Sequence, residues 1–140
     1  MYTAIVVGTN GSETAARAVA HAAAIATASN ATLHIVSSIP MRTVSAGEVS
    51  GSMVIDSSSD IESNLADALA AVERDGLTVK THGMKLDPAK AIVEVAKRVD
   101  ADLVVVGNKG MKGAKRFLLG SVPNAVAHNA PCAVLIVKTC

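Results

Sequence analysis

Continuous apolar runs alternate with amphipathic stretches along the chain. Residues 4–8 are an apolar run closed by Gly8, and residues 32–38, 103–106 and 133–137 are further runs of strand length. Residues 77–84 alternate in character and read as one more strand. Between them lie stretches of helical period. Residues 14–29 are Ala-rich, with Ser12 placed to cap the helix and Glu13 placed to favour its first turn. Residues 59–75 carry Ile61, Leu65, Leu69 and Val72 on one face, and Gly76 follows as a stop. Residues 88–99 follow Asp87 and place Ile92, Val95, Ala96 and Val99 at helical spacing. Residues 122–129 predict a short helix behind Ser121.

Apolar strands separated by helices predict a parallel sheet covered on both faces. Five strands and four helices make a three-layer, doubly wound α/β sandwich, and right-handed crossovers favour the strand order 3-2-1-4-5. Ligands in such folds sit at the carboxyl ends of the strands, where the strand order reverses. Here that crevice falls between Gly8-Thr9-Asn10 and the segment after Val106. No repeat or linker divides the chain, so residues 1–140 read as one domain. Residues 40–58 have no clear period and read as a long loop, either a lid or a plain connection.

Composition narrows the chemistry. Half of the residues are apolar, yet Tyr2 and Phe117 are the only aromatic ones and Trp is absent. The core must be aliphatic, and a bound base must be held by aliphatic side chains and backbone. Single-stranded nucleic acid binding by stacking is disfavoured. The overall charge of +1 is too neutral for a dedicated DNA-binding protein. Its distribution is uneven, however. Residues 1–102 hold all twelve acids against eight Lys/Arg, formally −4, and residues 103–140 hold five bases and no acid, formally +5. Lys109, Lys112, Lys115 and Arg116 fall within eight residues, a field suited to a phosphate-bearing partner.

The two cysteines, Cys132 and Cys140, form no CxxC, and nothing points to an oxidising compartment. The most apolar helix, residues 18–28, is interrupted by His21 and too short to span a bilayer. No secretory signal is legible, so the expectation is a cytoplasmic protein with no membrane partner. His21, His34, His82 and His128 are scattered without ligand spacing, which predicts no metal site, and His34 and His82 read as structural residues in strands. No Ser/His/acid or Cys/His pairing is legible from their order.

The stretch from Gly107 to Pro123 carries the most chemistry. It leaves a buried strand, contains Gly107, Gly110, Gly113 and Gly120, and enters a helix at Ser121. Glycines let backbone N–H groups approach a phosphate, and a helix start adds unpaired donors and a positive dipole end. No GxxxxGK[ST] or GxGxxG fingerprint is present. The spacing is Gly-x2-Gly-x9-Gly-Ser through Gly107, Gly110, Gly120 and Ser121.

That spacing resembles the nucleotide-binding motif of the universal stress protein family, in its ATP-binding branch. The opening Gly8-Thr9-Asn10-Gly11-Ser12, the segment from Asp100 to Gly107 and the ending from Pro131 to Val137 also fit, so the similarity spans essentially the whole chain. The resemblance implies the five-stranded fold, a homodimer formed through the last strand, and a stress-response regulator that binds ATP, AMP or cyclic AMP. It implies that Gly107, Asn108, Gly110, Gly113, Gly120, Ser121 and Val122 hold the phosphates. Gly8, Thr9 and Asn10 would meet the adenine and ribose, and Ser38 would line the base pocket. Where the family usually has an acid, this chain has Asn10. An amide can hydrogen-bond a ribose hydroxyl but is a poor Mg²⁺ ligand, which counts against tight Mg²⁺-assisted ATP binding and gives AMP and cyclic AMP weight beside ATP.

Three other readings compete with a binding protein that lacks turnover. A weak ATP hydrolase or phosphotransferase needs a base and a metal site, but Asn10 stands where an acid is wanted and Glu13 is already helical. A phosphoacceptor receiver needs acids after the first strand and at the end of the third, where this chain reads Thr9-Asn10 and His82-Gly83-Met84. A ligand-free dimeric scaffold leaves the glycine motif without a purpose.

Overall fold

A computed structural model of the chain describes residues 1–45, 52–55, 57–108 and 119–138, with backbone alone for residues 42–45 and 52–55. The element order is β1 (Ala4–Gly8), α1 (Glu13–Ser29), β2 (Thr32–Ser38), β3 (Arg42–Ser45), β4 (Ser52–Ile55), α2 (Ser58–Val72), β5 (Val79–Met84), α3 (Pro88–Arg98), β6 (Leu103–Asn108), α4 (Ser121–Asn129) and β7 (Ala133–Lys138).

The main sheet has the order β5-β2-β1-β6-β7 and every pairing in it is parallel. Counting its own strands, this is the expected 3-2-1-4-5. β1 occupies the centre because both of its neighbours and both helical layers cover it: Ile5, Val6 and Val7 have no exposed surface. Alternate side chains go to opposite faces. Ile5, Val7, Leu33, Ile35, Leu103 and Val105 pack under α1 and α2. Val6, Val36, Val104 and Val106 pack under α3 and α4. The alanines Ala18, Ala22, Ala23 and Ala26 let α1 lie close against the sheet, and each is fully buried.

Local signals set the helix starts. The Ser12 hydroxyl accepts from Ala15 N–H at 3.1 Å, and an Asp87 carboxylate oxygen accepts from Lys90 N–H at 3.2 Å. At the opposite end of the sheet, Asp102 accepts from Thr3 N–H at 2.8 Å and Ala4 N–H at 3.2 Å, pinning the entry of β1 beside β6. Burial pushes the Asp102 carboxyl up, but these hydrogen bonds outweigh it and hold the group below the ordinary carboxylate range.

Three expectations need correction. Part of the stretch read as a loop is an antiparallel hairpin, in which β3 pairs β4 with Arg42 opposite Ile55 and Ser45 opposite Ser52. Helix α2 ends at Val72 instead of running to Gly76, because Glu73 is extended and the Arg74 Nε donates to the Val72 carbonyl at 3.1 Å. Strand β6 continues through Gly107 and Asn108, paired with Val137 and Lys138, before the glycine-rich segment begins.

Candidate nucleotide-binding crevice

The chain winds from β1 through β2 to β5 on one side and then crosses back to β6 and β7 on the other. The carboxyl ends of β1 and β6 therefore part at the point where the order reverses. A cavity of about 340 Å³ opens there, at the lower end of the range of small-molecule pockets, roughly 300–1,000 Å³. Gly8, Thr9 and Asn10 form one lip, and Gly120, Ser121 and Val122 form the other. Val36, Ile92 and Val106 make an aliphatic wall, with Pro88 and Pro123 beside them. Ser12, Thr14 and Ala15 close the α1 side. Among the described residues, no charged side chain lines this cavity.

The β1–α1 lip is a folded turn. Thr9 N–H donates to the Val36 carbonyl at 2.8 Å, which ties the lip to β2. The Thr9 hydroxyl accepts from Gly11 N–H at 3.2 Å, and Asn10 Oδ1 accepts from Ser12 N–H at 3.0 Å. With its oxygen turned inward, Asn10 offers the Nδ2 amide as a donor.

The α4 lip starts at a glycine, which supplies no capping side chain. The first-turn N–H groups of Ser121 and Val122 have no acceptor within the helix, and Pro123 has no N–H to satisfy. The helix cap is Gly120, with Ser121 already inside the helix, a one-residue correction to the expected boundary. Two donors and the positive end of α4 thus border the cavity.

The glycines differ in what the protein itself asks of them. A β-carbon on Gly8 would sit 2.6 Å from Ile92 Cδ1, and one on Gly107 would lie 3.3 Å from the Thr14 carbonyl oxygen. Those two glycines serve internal close approach. Gly120 has φ −64°, which any residue adopts, and its nearest neighbours would be an ordinary 3.5 Å or more away. Nothing in the described protein requires Gly120 to lack a side chain.

Of the residues singled out from sequence, Gly8, Thr9, Asn10, Ser38, Gly107, Gly120, Ser121 and Val122 meet on this one cavity. Ser38 contributes wall and not a free hydroxyl, since its Oγ donates to the Leu86 carbonyl at 2.6 Å and accepts from Leu86 N–H at 3.0 Å. Asn108 does not line the cavity. Its Oδ1 accepts from Gly120 N–H at 2.9 Å and joins the two ends of the intervening segment. Gly110 and Gly113, with Lys109, Lys112, Lys115 and Arg116, lie outside the described residues. Sequence reasoning missed Val36 and Ile92. Val36 lies two residues before Ser38 on the same strand face, and Ile92 belongs to the apolar stripe of α3, so periodicity could have found both.

Comparison with known proteins identifies the family. The model of the universal stress protein family matches residues 1–138. The chain belongs to the universal stress protein family. A putative universal stress protein of Staphylococcus saprophyticus is 31% identical over 141 residues, covering 99% of this chain and 84% of that relative. Among solved structures, a universal stress protein in complex with cAMP is 33% identical, covers 99% of both chains and superposes with a TM-score of 0.73. The universal stress protein of Archaeoglobus fulgidus in complex with dAMP is 26% identical, covers 98% of both chains and has a TM-score of 0.72.

Away from the crevice, the α3 face holds a histidine pair. His34 Nδ1 lies 2.9 Å from His82 Nε2. Burial, then His82 and Lys80, push the His34 imidazole down to about 4. His82 is also lowered, by burial, then Arg98 and Lys80. Its pairing fits the structural role expected for both rings. No described helix is long and apolar enough to cross a membrane.

Proposed function

We propose that this universal stress protein binds an adenine nucleotide in the crevice between β1 and β6 and works as a stress-response regulator. The observation that carries the proposal is the pairing of an aliphatic wall with a helix start whose cap is a glycine. Val36, Ile92 and Val106 suit a base held without aromatic stacking. Ser121 and Val122 offer N–H groups to a phosphate. Gly120 keeps this approach open, though nothing in the described protein needs a glycine there. The cAMP and dAMP complexes of the two relatives support the same ligand class.

The preferred ligand is a monophosphate, AMP or cyclic AMP, over Mg-ATP. Mg²⁺ bound with phosphate wants at least one carboxylate, and among the described residues no acid lines the cavity. Asn10 stands at the β1 lip, and its amide oxygen is occupied by Ser12 N–H. We also propose that two copies pair through β7, an edge strand on which Val134, Leu135 and Ile136 stay half-exposed. Light scattering of the eluting protein reads that state directly: a monomeric mass would reject the pairing.

Thermal unfolding with ATP, ADP, AMP, cyclic AMP and GTP, each with and without Mg²⁺, tests the ligand. A ligand at 100 times its Kd stabilises the fold by about 2.7 kcal/mol. Stabilisation by AMP or cyclic AMP, with no help from Mg²⁺ and no effect of GTP, is the expected pattern. Equal shifts with GTP would overturn adenine selectivity, and no shift at millimolar nucleotide would overturn the binding function.

A further inference from the structure

The sheet-facing stripe of α2 runs through Ile61, Leu65, Ala68 and Val72, which pack against β2 and β5. Asn64 shares this face, three residues after Ile61 and four before Ala68. An amide is a poorer helix former than leucine and a poorer core filler. Its surroundings explain its presence. Asn64 Nδ2 donates to Ser37 Oγ at 3.4 Å, and the Ser37 side chain is 1% exposed at the carboxyl end of β2. The amide oxygen of Asn64 occupies the space that a β-carbon on Gly11 would need. Gly11 has φ +81°, a conformation that glycine alone adopts cheaply.

These contacts close a ring. The Asn64 amide fills the space beside Gly11 and holds Ser37; the neighbouring Val36 carbonyl accepts from Thr9 N–H; the Thr9 hydroxyl accepts from Gly11 N–H. The lip that presents Thr9 and Asn10 to the crevice is therefore gripped by β2 from one side and by Asn64 of α2 from another.

We propose that Asn64 is a positioning residue for the nucleotide site, holding the turn from Thr9 to Ser12 in its ligand-ready shape from outside the cavity. This rests on the nucleotide-binding reading above. Ordering a loop before the ligand arrives removes that cost from binding, so loss of the Asn64 amide weakens affinity without removing any ligand contact.

The test uses Asn64→Leu, Asn64→Ala and Asn64→Asp in the full chain, with cyclic AMP and AMP as probes. Asn64→Leu extends the apolar stripe and keeps or raises stability to urea, yet its Kd for the nucleotide rises about tenfold, equivalent to about 1.4 kcal/mol. Asn64→Asp keeps the acceptor oxygen against Gly11, and the Ser37 hydroxyl can turn to donate to it, so it restores most of the affinity. Amide exchange at Gly11 and Ser12, measured without ligand, speeds up in the Leu and Ala variants. A purely structural residue would not give stability and affinity moving in opposite directions. Unchanged exchange at Gly11 and Ser12 overturns the proposal, and so does faster exchange with unchanged affinity. If the wild-type protein binds neither nucleotide, the binding reading and the positioning role fall together, and the exchange data alone still decide whether Asn64 holds the turn.

Discussion

Adding one methyl group at Gly8 and one at Gly120 separates a glycine the fold needs from one that the proposed nucleotide site would need. At Gly8 the new β-carbon would lie 2.6 Å from Ile92 Cδ1 and 3.2 Å from Cγ1. Carbon atoms settle at about 3.5–4.0 Å, so the overlap is about 1 Å. Ile92 is 4% exposed, and the open direction left to it is the cavity it lines. Rotating a packed isoleucine off its rotamer and overpacking its site costs about 1–2 kcal/mol. The displaced side chain also fills the crevice, so Gly8→Ala loses stability and nucleotide affinity together. At Gly120 the new β-carbon meets Asn108 Oδ1 at 3.5 Å and Pro123 Cδ at 3.6 Å, ordinary contacts, on a backbone with φ −64°. Gly120→Ala therefore changes stability by less than about 1 kcal/mol, the scale of a weak helix-cap preference. Gly120→Val projects two methyl groups toward the lip and raises the Kd for cyclic AMP about tenfold or more, at least 1.4 kcal/mol. Urea unfolding and titration calorimetry on the three variants give both quantities. Equal destabilisation by alanine at the two positions would refute the packing argument. Wild-type affinity in Gly120→Val would refute the placement of the phosphate end.

The histidine pair predicts acid sensitivity. His34 is pushed down to about 4 from an ordinary 6.5 by burial, His82 and Lys80. The unfolded chain therefore binds the extra proton first as pH falls. Stability is complete above about pH 6.5 and declines toward pH 4, by about 1–2 kcal/mol at pH 5. His34→Gln flattens the difference between urea unfolding at pH 7 and at pH 5; parallel profiles would refute the assignment. Asn10→Asp introduces the missing carboxylate at the start of α1, where the helix dipole favours it by about 0.3–1 kcal/mol. It raises ATP affinity in calorimetry only when Mg²⁺ is present; a gain without Mg²⁺ would contradict the metal argument. Asp102→Ala strips the acceptor from Thr3 and Ala4 N–H and costs about 1–3 kcal/mol in urea unfolding, with nucleotide affinity unchanged because Asp102 lies at the opposite end of the sheet.

The strand and helix layout was legible because a buried parallel strand must be continuously apolar and a covering helix must carry a stripe. β1 and β2 appear in the sequence with their observed ends for that reason. The β3–β4 hairpin was not legible, since residues 40–58 mix Ser, Gly, Thr and Val in no clear period. The lips of the crevice were legible through their turn residues and glycines. Its wall was not, because Val36 and Ile92 look like any core aliphatic until the sheet brings β2 and α3 together over Gly8. The Asn64 amide escaped for a related reason: its partners Gly11 and Ser37 are 53 and 27 residues away in the chain.

The most direct measurement is amide chemical-shift mapping of the labelled protein during titration with cyclic AMP and AMP. Saturable shifts centred on Gly8, Thr9 and Asn10 on one lip and on Ser121 and Val122 on the other are the predicted result. Saturating nucleotide that leaves those amides in place, or shifts gathered instead on the groove between α3 and α4 around Lys90 and Glu94, would contradict the account.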